Sequence, residues 1–174
     1  GRESFRSSRK LFIFNMEGDL INVDSSQNAR LYGGGDWNEE DIVLGAADSS
    51  LTFFQYADSS LTLIKRIKID HIDPEARGIG HGRWRPGHRK VIWTNNRGIL
   101  YETDFDTEQT RLIYDNCHRR FIQFDPTPDG EAIWIGVSDY HDWADPDLRD
   151  ATAYIHEINL DTGEETRVYT FPDL

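Results

Sequence analysis

Basic and histidine residues suited to anion binding or acid–base chemistry are concentrated in the second half of the chain. The segment from Ala76 to Tyr101 contains no Asp or Glu but six Lys and Arg residues, and it includes His81. A second basic cluster, His118-Arg119-Arg120, follows it. Arginine binds carboxylates through two parallel hydrogen bonds, and histidine, which titrates near neutral pH, can act as a base or bind a metal. The pattern predicts an anion-binding site with five candidate substrate-binding residues: Arg77, Arg83, Arg85, Arg119 and Arg120.

The same cations have a second interpretation, because the chain as a whole carries a net charge of −12. Carboxylates of neighbouring segments could pair with them, as most surface charge clusters are paired or solvated. His81 lies in Gly78-Ile-Gly-His-Gly82, which predicts a loop that lets the backbone approach another group closely. A purely structural role for this histidine is the alternative to a catalytic one. No strand–turn–helix pattern surrounds the glycines, so a nucleotide-binding loop is not indicated.

An acidic segment over residues 138–150 is a second candidate site, for calcium. Oxygen-rich loops bind calcium, but this one lacks the central glycine and terminal glutamate of a calcium-binding helix–loop–helix motif. A solvated loop is the preferred interpretation, and calcium binding stays open. Its aspartates and its histidine are Asp139, His141, Asp142, Asp145, Asp147 and Asp150.

Short runs of alternating or β-rich residues, separated by Gly, Asp, Asn and Ser, predict strands along the whole chain. Dipeptides such as Asp129-Gly130 and Thr162-Gly163 favour tight turns between them. No segment combines helical periodicity with an N-cap, so the predicted fold class is all-β. The predicted strands are 10–16, 20–23, 42–44, 51–56, 61–69, 90–94, 99–103, 111–114, 121–124, 132–137, 152–158 and 166–171.

An internal repeat indicates how these strands are organised. Pro86-Gly-His-Arg-Lys-Val-Ile-Trp93 parallels Pro128-Asp-Gly-Glu-Ala-Ile-Trp134, and the two prolines lie 42 positions apart. Four-stranded propeller blades repeat every ~40–45 residues. We therefore predict a β-propeller or partial propeller of about four blade-like four-stranded units, with a β-sandwich as the alternative. The units span roughly 10–40, 41–75, 76–116 and 117–174, in a single domain that follows an N-terminal extension over residues 1–9.

Four units, of which the first is short, lie at the lower limit of the ~4–8 blades that close a ring. The chain is therefore expected to be a fragment of a propeller, one half of a homodimeric ring, or an unusually small ring. The first strand of each blade lines the central channel of a propeller. His81 precedes a short predicted strand at Arg83-Trp84, and His118 precedes the strand at 121–124. Both histidines are therefore expected to converge at the channel.

Residues 124–136, Phe-Asp-Pro-Thr-Pro-Asp-Gly-Glu-Ala-Ile-Trp-Ile-Gly, and residues 154–163, Tyr-Ile-His-Glu-Ile-Asn-Leu-Asp-Thr-Gly, resemble the repeat of TolB-type propellers. Within that group the chain looks most like the oligogalacturonate lyases. Gly80-His-Gly-Arg-Trp84 and Asn116-Cys-His118 carry this resemblance, which covers residues 76–174.

The resemblance implies cleavage of acidic oligosaccharides by β-elimination, assisted by a divalent, manganese-type metal ion. His81 would match the catalytic base and His118 a metal-binding histidine. The chain departs from the family in two places: it lacks the Gln-x-x-His-x-His segment that supplies the other metal ligands, and Leu51 to Gln55 contain no counterpart of the catalytic arginine. A non-catalytic TolB-type module that binds a protein or an anionic ligand is therefore the alternative function, and whether the protein is an enzyme stays open.

The amino-acid composition limits the classes of binding partner and the cellular location that we expect for the chain. A net charge of −12 and a pI near 4.8 argue against binding nucleic acid or anionic membranes. Apolar runs are only a few residues long, far below the ~20 needed to span a membrane. The single cysteine, Cys117, excludes an internal disulfide and favours a reducing, cytoplasmic location. The expected partners are an acidic oligosaccharide or a protein, together with a second copy or the remainder of the propeller.

Overall fold

In the part of the chain that the computed structural model describes, fourteen β-strands form four antiparallel sheets. The described residues are 11–14, 18–24, 36–47, 50–58, 60–69, 79–95, 99–115, 120–138 and 153–171. Within these residues there is no helix, and hence none that is long and apolar enough to cross a membrane. The all-β prediction is confirmed.

The first sheet is a two-stranded hairpin, and each of the other three has four strands in chain order. The hairpin consists of β1 (Leu11–Phe14) and β2 (Leu20–Asp24). The β3–β6 sheet consists of β3 (Asp36–Trp37), β4 (Ile42–Ala47), β5 (Ser50–Ala57) and β6 (Ser60–Lys68). The β7–β10 sheet consists of β7 (Ile79–Trp84), β8 (Lys90–Asn95), β9 (Leu100–Asp104) and β10 (Thr110–Tyr114). The β11–β14 sheet consists of β11 (Arg120–Pro126), β12 (Ala132–Ser138), β13 (Ala153–Asn159) and β14 (Glu165–Thr170).

The sequence repeat corresponds to a repeat in strand register. Gly82 of β7 lies opposite Trp93 of β8, and Phe124 of β11 lies opposite Ile135 of β12, each 42 positions later. The two sheets therefore have the same strand order and the same pairing at equivalent positions, as successive blades require.

Apolar packing between sheets joins them into one stack. The first core lies between the β3–β6 and β7–β10 sheets and includes Leu44, Leu51, Phe53, Val91 and Trp93, all buried. The second lies between the β7–β10 and β11–β14 sheets and includes Ile92, Leu100, Ile133, Ile135 and Ile158. A fully buried Leu, Ile or Val contributes roughly 1.5–3 kcal/mol. Because β8 contributes to both cores, five of its six residues are buried.

Two glycines permit the close approach of neighbouring sheets. A Cβ on Gly82 would lie 2.7 Å from Leu44 Cδ2, so β7 could not pack as tightly against β4 with any larger residue. Gly130 has a φ of +71°, and a Cβ there would lie 2.2 Å from the carbonyl oxygen of Pro86. The Asp129-Gly130 turn thus packs directly against the equivalent turn of the preceding sheet.

Two details differ from the sequence prediction. Residues 79–82 belong to β7, so the loop predicted for Gly78–Gly82 is wrong, because the buried Ile79 and Trp84 anchor this segment in the sheet. The short strand β3 was not predicted, and it pairs with β4, so a single sheet spans the expected unit boundary at 40/41.

Candidate functional site

A groove of about 500 Å³, which we call the inner groove, opens where the first strands of the three four-stranded sheets lie side by side. These strands are β3, β7 and β11, and the turns that follow them form the walls. Tight turns bring charged and aromatic side chains together here. The lining residues are Asp36, Trp37, Asn38, Glu39, Glu40, Arg83, Trp84, Arg85, Pro86, Gly87, His88, Arg89, Asp125 and Pro126.

Three charged residues occupy the same position in successive first strands. Asp36 lies opposite Leu44, Arg83 opposite Ile92, and Asp125 opposite Trp134. The Arg83 guanidinium donates from Nε to Asp125 Oδ1 at 3.0 Å and from Nη1 to the carbonyl of Gly82 at 3.1 Å. One arginine therefore stands between two carboxylates, and its Nη2 has no hydrogen-bond partner among the described residues.

Asp36 connects β3 to β7 through the backbone. Its Oδ2 accepts a hydrogen bond from the Trp84 amide at 2.5 Å. Burial raises the pKa of Asp36 above its usual value, although hydrogen bonds from the Trp84 and Trp37 amides and the charge of Arg83 oppose this effect. The carboxyl group of Asp36 therefore loses its proton less readily than that of an exposed aspartate.

Arg85 performs a structural role at the floor of the groove. Its Nε donates to the carbonyl of Gly130 at 2.6 Å, and its Nη1 pairs with Glu102 at 3.1 Å. Both side chains are only 3% exposed. Arg111 also pairs with Glu102, at 3.1 Å, and it donates to the carbonyl of Leu160 at 2.7 Å. This cluster ties the β7–β10 sheet to the β11–β14 sheet.

Glu102 is ionised within that cluster. Burial by itself would raise its pKa, but hydrogen bonds and charges from Arg111 and Lys90 outweigh burial, and the pKa lies below its usual range. A charged carboxylate at this depth requires such cations, because an unpaired buried charge is costly. Arg85 therefore has an internal carboxylate partner, which leaves its predicted role in substrate binding without support from this geometry.

Arg89 lies on the outer wall of the groove, beside two carboxylates. Its Nε and Nη2 make two parallel hydrogen bonds to Asp106, at 2.9 and 3.1 Å, and it also pairs with Glu40. The guanidinium carbon lies 4.8 Å from the centroid of the Phe105 ring. These contacts fix the orientation of Arg89 at the rim.

His81 lies outside the groove lining, two residues before Arg83 in β7. A β-bulge interrupts the β7–β8 pairing between Ile79 and Gly82, and the His81 amide donates to Thr94 Oγ1 at 3.2 Å. The side chain is half-buried. Bulges of this kind redirect a side chain and are common beside active sites. By strand register the equivalent of His81 in β11 is Gln123, which is exposed, and not His118.

Several predicted residues lie outside the described part of the chain. Arg77, His118 and Arg119 are among them, as are residues 139–150 of the acidic segment. Arg120 begins β11, but its side chain is not described. Their expected roles, including the convergence of His81 with His118 and calcium binding by the acidic segment, stay predictions. Within the described residues, no group of three or more His, Cys, Asp or Glu side chains could hold a metal ion.

Sequence reasoning missed the carboxylates that flank Arg83. Asp125 is part of the repeat already noted, and shifting Arg83 by 42 positions identifies it. Asp36 gave a weaker signal, because it follows Gly33-Gly-Gly35 and begins a strand of only two residues.

The structure resembles β-propellers. An oligogalacturonate lyase from Vibrio parahaemolyticus matches with a TM-score of 0.59 at 13% identity over 82% of this chain and 40% of that chain. An oligogalacturonate lyase in complex with manganese matches with 0.56 at 13% identity, over 81% and 42%. The β-propeller domain of Cps50 (Swd1) from Myceliophteria thermophila matches with 0.60 at 11% identity, over 97% and 50%.

Likeness at these identities establishes the fold, and the predicted propeller class is confirmed. The chain spans between two fifths and half of the matched chains. Comparison of the sequence with protein-family models and with curated proteins gave no match.

Proposed function

We propose that the inner groove binds a carboxylate-bearing oligosaccharide, with Arg83 as the residue that binds its carboxylate. The observation that carries this proposal is the position of Arg83 in the groove lining, with Nη2 free of partners among the described residues. Charge-assisted hydrogen bonds from arginine to carboxylate are among the strongest in proteins.

The existing ion pair of Arg83 does not prevent this. Asp125 is exposed and Arg83 is half-buried. Exposed pairs of this kind contribute only ~0.2–1 kcal/mol, so a ligand carboxylate can compete for the guanidinium. Nη2 can bind that carboxylate even while Nε keeps Asp125.

The mixed charges of the groove select the ligand class. Asp36, Glu40 and Asp125 disfavour a ligand whose negative charge is concentrated at one point, such as phosphate. The carboxylates of an oligouronate are single charges on separate sugar units, and the groove carboxylates can accept hydrogen bonds from its hydroxyls. Trp37 at the rim is exposed, and its Nε1 donates to Asp41 at 3.1 Å, which fixes the ring. A fixed aromatic face suits the apolar side of a sugar ring. A uronic acid combines one carboxylate with several hydroxyls and fits all three features.

Cleavage of that ligand by β-elimination is the second candidate function. The observation that favours it is His81, half-buried at a bulge two residues before Arg83 in the same strand. In this proposal His81 removes the proton from the carbon next to the sugar carboxylate, and neutralisation of that carboxylate makes the proton acidic enough to remove. The electron pair of the broken C–H bond forms a carbon–carbon double bond, the glycosidic C–O bond at the β carbon breaks, and the leaving oxygen takes a proton from solvent. The likeness to two oligogalacturonate lyase structures supports the fold of such an enzyme, not its chemistry.

The described residues do not fit the manganese ion that the lyase resemblance implies. No set of three ligands exists among them, and His118 lies outside them. No step of the proposal therefore uses a metal, and Arg83 supplies the positive charge. If the chain binds the oligosaccharide but does not cleave it, the result favours the alternative function, a non-catalytic binding module.

The proposal is tested with a ligand and its neutral counterpart. Calorimetric titration with trigalacturonate is expected to give saturable binding that weakens between 50 and 500 mM salt, since charges are screened over ~10 Å at 0.1 M and ~3 Å at 1 M ionic strength. The trimethyl ester, which keeps the hydroxyls but lacks the charges, should bind at least ~10-fold more weakly. Equal affinity for acid and ester, or no binding of either, would contradict the proposal.

A further inference from the structure

Trp37, the second residue of β3, is an exposed aromatic side chain that lines the inner groove. It is 40% exposed, but Trp134 on β12 is 43% exposed, so exposure alone does not distinguish Trp37. Position distinguishes it, because Trp37 lies in the groove lining and Trp134 lies outside it. Ligand sites combine aromatic side chains with a few well-placed polar groups, and the surroundings of Trp37 have this composition.

Two side chains hold the Trp37 indole in a fixed orientation. Its Nε1 donates a hydrogen bond to Asp41 Oδ1 at 3.1 Å. The ring of Tyr56 packs against it edge to face, with centroids 4.9 Å apart and an angle of 66° between the ring planes. Because the ring is already ordered, it loses little conformational freedom when a ligand packs on it.

The turn between β3 and β4, which carries Asp41, is itself held by hydrogen bonds. Asn38 Oδ1 accepts from the amides of Glu40 and Ile42, at 3.0 and 2.9 Å. Gln55 Nε2, from β5, donates to the carbonyls of Glu40 and Asp41, at 3.0 and 3.2 Å. Asp41 has a φ of 59°, a left-handed conformation that is uncommon in residues other than glycine. Such conformations persist where the surrounding structure holds them, and they cluster at ligand-binding sites.

Asp36 connects Trp37 to Arg83, the proposed carboxylate-binding residue. Asp36 directly precedes Trp37, and its Oδ2 accepts a hydrogen bond from the amide of Trp84, which directly follows Arg83. The indole and the guanidinium therefore lie on two neighbouring strands that line the same groove. A ligand longer than one sugar unit can contact both side chains.

We propose that Trp37 forms a second subsite of the inner groove, where its ring packs on the sugar unit next to the one whose carboxylate binds Arg83. This inference rests on the proposed function and adds a requirement for ligand length to it. The C–H groups of a sugar ring can pack on an aromatic face while its hydroxyls donate to the groove carboxylates. A single galacturonate occupies only the Arg83 subsite, whereas trigalacturonate occupies both.

Titrations with galacturonate and trigalacturonate separate the two subsites. Trp37→Leu is expected to bind trigalacturonate at least ~10-fold more weakly than the wild type, with less than a ~2-fold change for galacturonate. Trp37→Phe keeps an aromatic ring and should restore part of the lost affinity. Trp134→Leu is the matched control, since it removes an equally exposed indole outside the groove lining. Its affinity for either ligand should change less than ~2-fold.

The indole N–H resonance of Trp37 provides a readout that does not depend on affinity. Its absence from the nuclear magnetic resonance spectrum of Trp37→Phe identifies it among the five tryptophans. The resonance is expected to shift when trigalacturonate binds, and to shift much less when galacturonate binds at equal occupancy. Circular dichroism shows that each variant is folded.

Two results would overturn the Trp37 subsite and leave binding at Arg83 intact. The first is an unchanged affinity of Trp37→Leu for trigalacturonate. The second is an equal loss for both ligands, which would show that Trp37 only supports the shape of the groove. If the wild type binds neither ligand, the proposed function and the Trp37 subsite are both contradicted.

Discussion

Arg83 and Asp125 occupy the same position in adjacent first strands, 42 residues apart, and are joined by an ion pair of 3.0 Å. Asp36 occupies that position in the strand before them. Residues at this equivalent position therefore form a row of alternating charges across the first strands of three sheets. This row is the feature on which the proposed ligand binding depends.

Gly130→Ala is expected to destabilise the fold more than Gly163→Ala. Both glycines have φ near +70°, so both substitutions strain the backbone, but only at Gly130 would the new Cβ meet the Pro86 carbonyl oxygen at 2.2 Å. The difference in the free energy of unfolding should be ~1–3 kcal/mol, the usual cost of overpacking. Urea denaturation measures it, and equal losses in the two variants would show that the turns of neighbouring sheets are not in contact.

Glu102→Gln is expected to lower stability by ~3–5 kcal/mol at pH 7, because it removes the buried counter-charge of Arg85 and leaves only the exposed Asp161, at 3.4 Å. Glu164→Gln, in an exposed turn, is the control and should change stability by less than ~0.5 kcal/mol. Chemical denaturation of the two variants provides the comparison. A loss of the same size in both would mean that the buried cluster does not stabilise the contact between sheets.

The pH dependence of stability follows from the same carboxylate. The pKa of Glu102 is lower in the folded than in the unfolded chain, so its contribution is complete above the unfolded value of ~4.3 and is lost as the pH falls through the folded value. The stability of the wild type should therefore decline more steeply below pH ~4.3 than that of Glu102→Gln. Parallel curves for the two proteins between pH 7 and pH 3 would contradict this assignment.

Cleavage can be separated from binding by substituting histidines. If His81 is the base, His81→Ala should lose ~10²–10⁴-fold in the rate of formation of unsaturated product, measured by its ultraviolet absorbance, while trigalacturonate still binds. His118→Ala, assayed with and without manganese, tests the metal role that the resemblance implies. If the wild type forms no product under any of these conditions, the cleavage proposal is contradicted, and the binding proposal is then tested by the titration alone.

The sequence predicted the sheets well, because period-two alternation and turn dipeptides are local signals. All the predicted strands that fall in the described residues correspond to strands there. It failed for residues 79–82, where two glycines suggested a loop, although Ile79 and Trp84 pack in the core and hold the segment in β7. Packing between sheets determines the conformation of residues 79–82, and a local sequence pattern carries no information on such packing.

The candidate site was less predictable, because charge counts do not identify ion-pair partners. Arg83 and Arg85 look alike in the sequence, but Arg83 lies in the groove with an unengaged donor while Arg85 pairs with the buried Glu102. Glu102 lies in a predicted strand and carries no signal that it faces an arginine of the preceding turn. Glu102 and Arg85 come together only because of the register of β8 and β9.

The affinity of Arg83→Gln for trigalacturonate tests the central claim most directly, with Arg66→Gln as the control. Arg66 lies exposed on β6, outside the groove, so the control makes the same change in net charge. Calorimetry at constant ionic strength should show a ~10–100-fold weaker affinity for Arg83→Gln, the loss of a charge-assisted hydrogen bond, and less than a ~2-fold change for Arg66→Gln. Equal affinities of the two folded variants would contradict binding in the inner groove.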